Sequence, residues 1–179
     1  MILHLNLPNH AEAIAFNRQR WGEVMNDPQW HGYVGRIETN GFGQIVASPP
    51  PNKLHSVRQG AILVLLHQLL GKSVMAECPI STIDGVKSAD VAWCSPQRYE
   101  ELGEQVIFEI APEICVEVLS PSNTAAEMDA KRQLYFEAGA IECWTCDLEG
   151  RMTHYDHQEP NTPMPQSNLC PHFPNTINH

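Results

Sequence analysis

The sequence predicts an α/β fold in which helices pack against a mixed β-sheet. Three observations carry this. Helix-period stretches alternate with short apolar runs in the order helix, hairpin, helix, three strands, helix, two strands. No internal repeat and no long linker divides the chain. Two of the apolar strands each hold one carboxylate, Asp90 and Glu117, where an ionised group is costly unless it meets a cation.

Taken in order, residues 10–25 predict a helix with Ala11, Ile14, Ala15, Trp21 and Val24 toward one face, broken at Asp27-Pro28. Strands over 33–38 and 43–48 are joined at Asn40-Gly41-Phe42-Gly43, a hairpin signal. Ser48-Pro49-Pro50-Pro51-Asn52 makes a stiff turn. Residues 55–71 give the strongest helix, with Ile62, Leu65, Leu66 and Leu69 on one face and Gly71 as its stop. Strands near 73–80 and 87–94 come next, then a short helix from Pro96 that carries Tyr99 and Leu102 inward. Residues 113–119 are an apolar strand with a glutamate in its middle, ended by Ser120-Pro121-Ser122-Asn123. A helix over 124–138 stops at Gly139, and strands over 140–147 and 151–156 turn at Glu149-Gly150. From His157 the chain is polar, carries five prolines and reads as irregular, with Leu169 and Phe173 docking on the body. The implied organisation is an N-terminal helical segment (1–32), one main domain (33–156) and a C-terminal tail (157–179) packed on that domain.

Composition narrows the function classes. The 179 residues suffice for one full core, and 42% hydrophobic with 18% charged residues is ordinary for a globular protein. No apolar run approaches the ~20 residues of a membrane span. The opening MILHLNLPNH has neither a basic region nor a long apolar stretch, so it does not read as a secretory signal, and a cytoplasmic location is the default expectation. A net charge of -10 argues against coating nucleic acid through general positive charge, but not against local contact through metal ions. Four of the six cysteines sit in apolar runs, where free thiols behave as small hydrophobes.

Glu117 is the most informative residue. It lies in Ile114-Cys115-Val116-Glu117-Val118-Leu119, a run expected to be buried on both faces. The bland alternative is a strand-end glutamate paired with a surface lysine. Asp90 begins the apolar stretch Val91-Ala92-Trp93; alone it reads equally as a turn-bonding aspartate. Together, two converging carboxylates repel unless a cation lies between them, and hard oxygen ligands suit Mg²⁺ or Mn²⁺. Lys131 shares a helix face with Met128, Leu134, Tyr135 and Ala138, so it projects from the buried side. Its helix follows the Glu117 strand, which brings the ammonium within reach of the carboxylates; a snorkelling lysine is the alternative. Glu38 ends the first hairpin strand and by itself reads as a solvated edge residue, while His55 reads equally as a cap-region or a pocket residue. Cys143-Trp144-Thr145-Cys146 is rejected as a redox or zinc motif, because positions three apart on a strand face opposite sides.

Several of these residues fall in motifs that resemble a known family. Ala89-Asp90-Val91-Ala92 resembles its Pro-Asp-Val-Ala element, and Val116-Glu117-Val118-Leu119-Ser120-Pro121-Ser122 its most specific motif. Asp129, Lys131 and Tyr135 match its helix pattern, and Gly139-Ala140-Ile141-Glu142-Cys143-Trp144 is similar to its Gly-Val-x-Glu-Tyr-Trp. Arg36-Ile37-Glu38 with Gly43-Gln44-Ile45 resembles its N-terminal hairpin, His55 falls where it often has histidine, and Leu169-x-Pro171-x-Phe173-Pro174 resembles its end. This is the Uma-type restriction endonuclease family of the PD-(D/E)XK nuclease superfamily. The resemblance covers most of residues 33–175. It implies a restriction-endonuclease-like core, DNA as substrate and Mg²⁺- or Mn²⁺-dependent phosphodiester hydrolysis. It further implies Asp90 and Glu117 as metal ligands and catalytic residues, Glu38 as a further acidic ligand, and Lys131 as the catalytic cation. The superfamily lysine normally stands two residues after the glutamate, where this chain has Leu119, so Lys131 would supply that charge from the helix. A catalytically silent domain kept for binding or assembly is the rival reading, and a homodimer is compatible with either.

Overall fold

A capped helix, a proline-stiffened turn and a run of apolar segments together build a six-stranded sheet with a separate two-stranded hairpin laid beside it. The computed structural model describes residues 10–103 and 105–178, with Leu102 described by its backbone alone. The sequence reading of residues 1–9 and the inward placement of Leu102 lie outside the described residues. The elements are α1 (His10–Asn26), β1 (Arg36–Thr39), β2 (Ile45–Ser48), α2 (Lys53–Leu70), β3 (Val74–Thr82), β4 (Gly85–Trp93) and α3 (Pro96–Leu102). They continue with β5 (Ile114–Val118), α4 (Ala125–Glu137), β6 (Glu142–Cys146), β7 (Met152–Asp156) and β8 (Pro163–Met164).

The large sheet runs β3-β4-β5-β6-β7-β8. Every neighbouring pair is antiparallel except β5 and β6, which are parallel and joined through α4. That crossover lays α4 across the sheet against β3 and β6, with Tyr135 reaching Glu117 of β5. Both helices beside the site start at side-chain caps. Asn52 accepts the His55 N–H at 3.0 Å to open α2, and Thr124 with Glu127 forms a capping box at α4. The Asn52 cap explains why α2 begins two residues before the stretch read from periodicity.

Two apolar layers cover the sheet. One holds Ile62 and Leu66 of α2 with Val116, Trp144, Cys146 and Phe173; the other holds Tyr135 of α4 and Ala138 just after it, with Cys115 and Cys143. Cys143 and Cys146 therefore lie in opposite layers, and all six cysteines are free and buried. Several expected facings shift. On α1 Trp21 and Val24 are buried as expected, but Ala13 and Asn17 take the inward places expected of Ala11, Ile14 and Ala15. Asn17 belongs inside because its amide donates to Thr82 O at 2.8 Å and Ser81 Oγ at 2.9 Å. Leu69 and Tyr99 are exposed, not inward. Asp90 stands in the body of β4 rather than at its start, since pairing with β3 begins at Gly85.

The tail is more ordered than its prolines suggest. It adds β8 to the sheet, and Cys170, Phe173 and Ile177 are buried in the α2-side core. Glu142 ties it down. This fully buried carboxylate accepts from Trp144 Nε1 (2.8 Å), Ser167 Oγ (2.6 Å), Asn168 N (2.8 Å) and Leu169 N (2.9 Å). Glu142→Ala strands these donors and opens a cavity, so it should lower unfolding free energy by about 3 kcal/mol or more. Urea denaturation checks this; a loss under about 1 kcal/mol would show that the tail docks without the carboxylate.

Candidate active site

Asp90 and Glu117 come from adjacent central strands. The β4–β5 register pairs Val91 with Val116 and Ala92 with Cys115, and continuing it by one residue sets Asp90 opposite Glu117. Both line a cleft of about 1020 Å³ bounded by the β1–β2 hairpin, the Pro49–Pro51 turn, the loop 120–123 and α4. Asp90 is almost completely buried at 1% exposure. Its Oδ2 accepts the Val118 N–H at 2.6 Å and lies 3.3 Å from His55 Nε2, while Oδ1 accepts from Arg36 Nη2. Burial opposes its ionisation, but the bond from His55 and the charge of Arg36 outweigh burial and hold the carboxyl below its ordinary range. His55 thus belongs to the site as well as to the start of α2.

Lys131 Nζ lies 3.0 Å from Glu117 Oε1, 3.0 Å from Glu38 Oε1 and 3.0 Å from Ser88 O. The contact with Ser88 O is a hydrogen bond, and those with the two carboxylates are ion pairs. Burial works against the charge, yet Glu117 and Glu38 raise the Lys131 pKa and keep it a cation. Glu38 also accepts the Ser88 N–H at 2.8 Å, so β1 is fastened beside β4 by the same two side chains. Tyr135 donates its hydroxyl to Glu117 Oε1 at 2.6 Å; burial and the Glu117 charge raise its own pKa and keep it a donor.

Glu117 differs from Asp90. Burial, reinforced by the Asp90 charge, pushes its carboxyl up to about 7 despite Lys131 and Arg36. Its Oε2 accepts no hydrogen bond among the described residues, and Arg36 Nη1 stands 3.8 Å away. Folded Glu117 therefore holds a proton that an unfolded glutamate releases near 4.5. Its contribution to stability is complete below about 4.5 and is lost as pH rises through about 7. Asp90 has the opposite sign, but its window lies at and below 3.8. In chelator-treated protein the denaturation midpoint should fall between pH 5 and 7.5, and Glu117→Gln should flatten that fall. An equally steep fall in the variant would assign it to another group.

Four carboxylates, Glu38, Glu77, Asp90 and Glu117, are joined in this network to two permanent cations, Arg36 and Lys131. With all four ionised, the set is two negative charges in excess. No three His, Cys, Asp or Glu side chains form a ready-made metal shell among the described residues. The donor chemistry nonetheless fits a hard divalent ion: two carboxylates share one cleft, one of them with an oxygen lacking a donor. Glu38 stands behind Lys131, its Oε1 committed to Ser88 N and the ammonium. The residues that sequence reading missed are Arg36 and Glu77. Arg36 lies two positions before Glu38 on one strand, so a shared facing was readable. Glu77 depends on a left-handed backbone turn, φ 50°, that nothing in its neighbourhood announces.

A six-stranded mixed sheet with helices packed against it places the chain in the restriction-endonuclease-like fold class. The chain belongs to the Uma2 family, whose model, described as "Putative restriction endonuclease", matches residues 35–174. A solved structure from Anabaena variabilis ATCC 29413, described as "a putative nuclease belonging to DUF820", shares the fold with a TM-score of 0.61 and 23% identity. That match covers 75% of this chain and 83% of the other. Comparison with curated proteins gave no match. No helix among the described residues is long and apolar enough to cross a membrane.

Proposed function

We propose that this chain is a DNA endonuclease that hydrolyses phosphodiester bonds with Mg²⁺ or Mn²⁺ held by Asp90 and Glu117. The observation that carries this is the pair of carboxylates set side by side in one cleft, Asp90 and Glu117, the second with an oxygen that accepts no hydrogen bond among the described residues. When bound, the ion supplies Lewis acidity toward a phosphoryl oxygen and a lower pKa for water.

The chain's own residues prepare the rest. His55 and the Val118 N–H fix Asp90, and Tyr135 fixes Glu117 Oε1 so that Oε2 faces the cleft. Lys131 stays protonated at the same carboxylate and stabilises negative charge that develops on the phosphate. Glu38 holds Lys131 in place and adds its charge to the cleft. One cleft holds one scissile bond at a time, so cleavage of both strands takes either two copies of the chain or two successive events. Plasmid nicking that requires Mg²⁺ or Mn²⁺ and vanishes in Glu117→Gln tests the proposal; equal nicking by the variant, or none with either ion, overturns it.

The silent-domain reading has one specific observation in its favour: Arg36 already neutralises part of the acid pair. A permanent internal counter-ion would make the site structural.

A further inference from the structure

Arg36 reaches the acid pair from outside the sheet, on the β1 strand of the hairpin. Its Nη2 donates to Asp90 Oδ1 and its Nη1 stands 3.8 Å from Glu117 Oε2, so the guanidinium lies between the two carboxylates. A separate residue holds its other edge. Glu77 accepts Arg36 Nε on Oε2 at 2.9 Å and Nη2 on Oε1 at 3.2 Å. Glu77 is one of two non-glycine residues with positive φ among those described, in the middle of β3 beside Asp90. Left-handed backbone within a strand persists only where surroundings enforce it, and such positions concentrate at working sites. Gln59 ties the Glu77 carboxylate to the same strand: its amide donates to Glu77 Oε1 at 2.7 Å and to Asp90 O at 2.8 Å.

The arginine is thus gripped twice, by the pair it neutralises and by an acid that is not part of that pair. A dication and a guanidinium repel and require the same carboxylate oxygens, so they cannot share the gap. Losing the pair would still leave Arg36 its Nε contact with Glu77.

We infer that Arg36 is a displaceable counter-ion: it holds Asp90 and Glu117 together in the metal-free protein and gives way to a divalent ion, pivoting on Glu77. This rests on the metal-dependent reading above and adds to it that ion binding is a competition with a residue of the chain itself. Without Arg36 the acid pair should be less stable when empty and bind ions more tightly.

Calorimetric titration of Mn²⁺ into wild type and Arg36→Gln tests this, with thermal melting of each in chelator and in Mn²⁺. The expected result is about tenfold or greater tightening in the variant, a lower melting temperature in chelator and a larger rise on adding Mn²⁺. Equal binding by the two proteins would overturn the displacement and leave the nuclease reading standing. Weaker binding by the variant would make Arg36 a support of the site and overturn it too. Absence of binding to either would remove both readings. Should the variant fail to fold, wild-type ¹⁵N spectra of the guanidinium decide: the Arg36 Nη signals, restricted in free protein, should begin to average on saturation with Mg²⁺, and unchanged signals overturn the inference.

Discussion

Replacing Glu117 by glutamine should abolish both divalent-ion stabilisation and DNA cleavage. The amide keeps the shape, and its carbonyl oxygen can still accept from Tyr135. What it removes is the charge facing the cleft. For wild type, Mn²⁺ at about 100 times its dissociation constant should add about 2.7 kcal/mol to the unfolding free energy by mass action. In Glu117→Gln that increment should disappear and nicking should fall to background. The loss would not reflect a broken fold: burial pushes the carboxyl up to about 7, so ionising it above that pH costs stability that the neutral amide does not lose. The variant in chelator should melt no lower than wild type at pH 8. A variant that keeps the Mn²⁺ increment would place the ion elsewhere.

Lys131→Met should lower the nicking rate by about 10²-fold or more, the scale of losing a positioned charge that acts in the transition state. The methionine stem can still pack beside Tyr135. The structure adds a second consequence that the helix pattern alone did not suggest. Lys131 is the shared partner of Glu38 and Glu117 and also donates to Ser88 O. Removing it leaves buried acids unpaired, which costs about 3–5 kcal/mol. The rate must therefore be read at a temperature where the variant is folded by circular dichroism. Lys131→Arg separates the two effects: it should recover most stability, because charge is restored, and only part of the rate, because the planar fork does not reproduce three contacts from one nitrogen. Wild-type rate in a folded Lys131→Met protein would exclude the lysine from catalysis.

Much of this arrangement was legible in the chain. The acid in Ile114–Val118 and the lysine among Met128, Leu134 and Tyr135 stand out because they break apolar patterns, and burial makes such breaks expensive. The order of the elements follows from periods of 3.6 and 2, so the crossover placing Lys131 over Glu117 was also readable. Facings on α1 and α3 were less so. Asn17 is buried because distant groups, Ser81 and Thr82, satisfy its amide, and hydrophobicity cannot report that. The tail looked irregular because its anchor is a polar one, Glu142.

The sequence by itself determined which strands carry acids, which helix carries the cation, and the family whose motifs those residues form. Only the tertiary structure decided what lies between Asp90 and Glu117. Arg36 and Asp90 are 54 positions apart, and Arg36 and Glu77 are 41 apart. They meet because the β1–β2 hairpin crosses over β4, where Glu38 and Thr39 accept the N–H groups of Ser88 and Val86. Local patterning specifies which face a residue presents, but not which distant charge comes to meet it. That pairing is set by the electrostatic need of a buried acid pair and by the hairpin that can reach it.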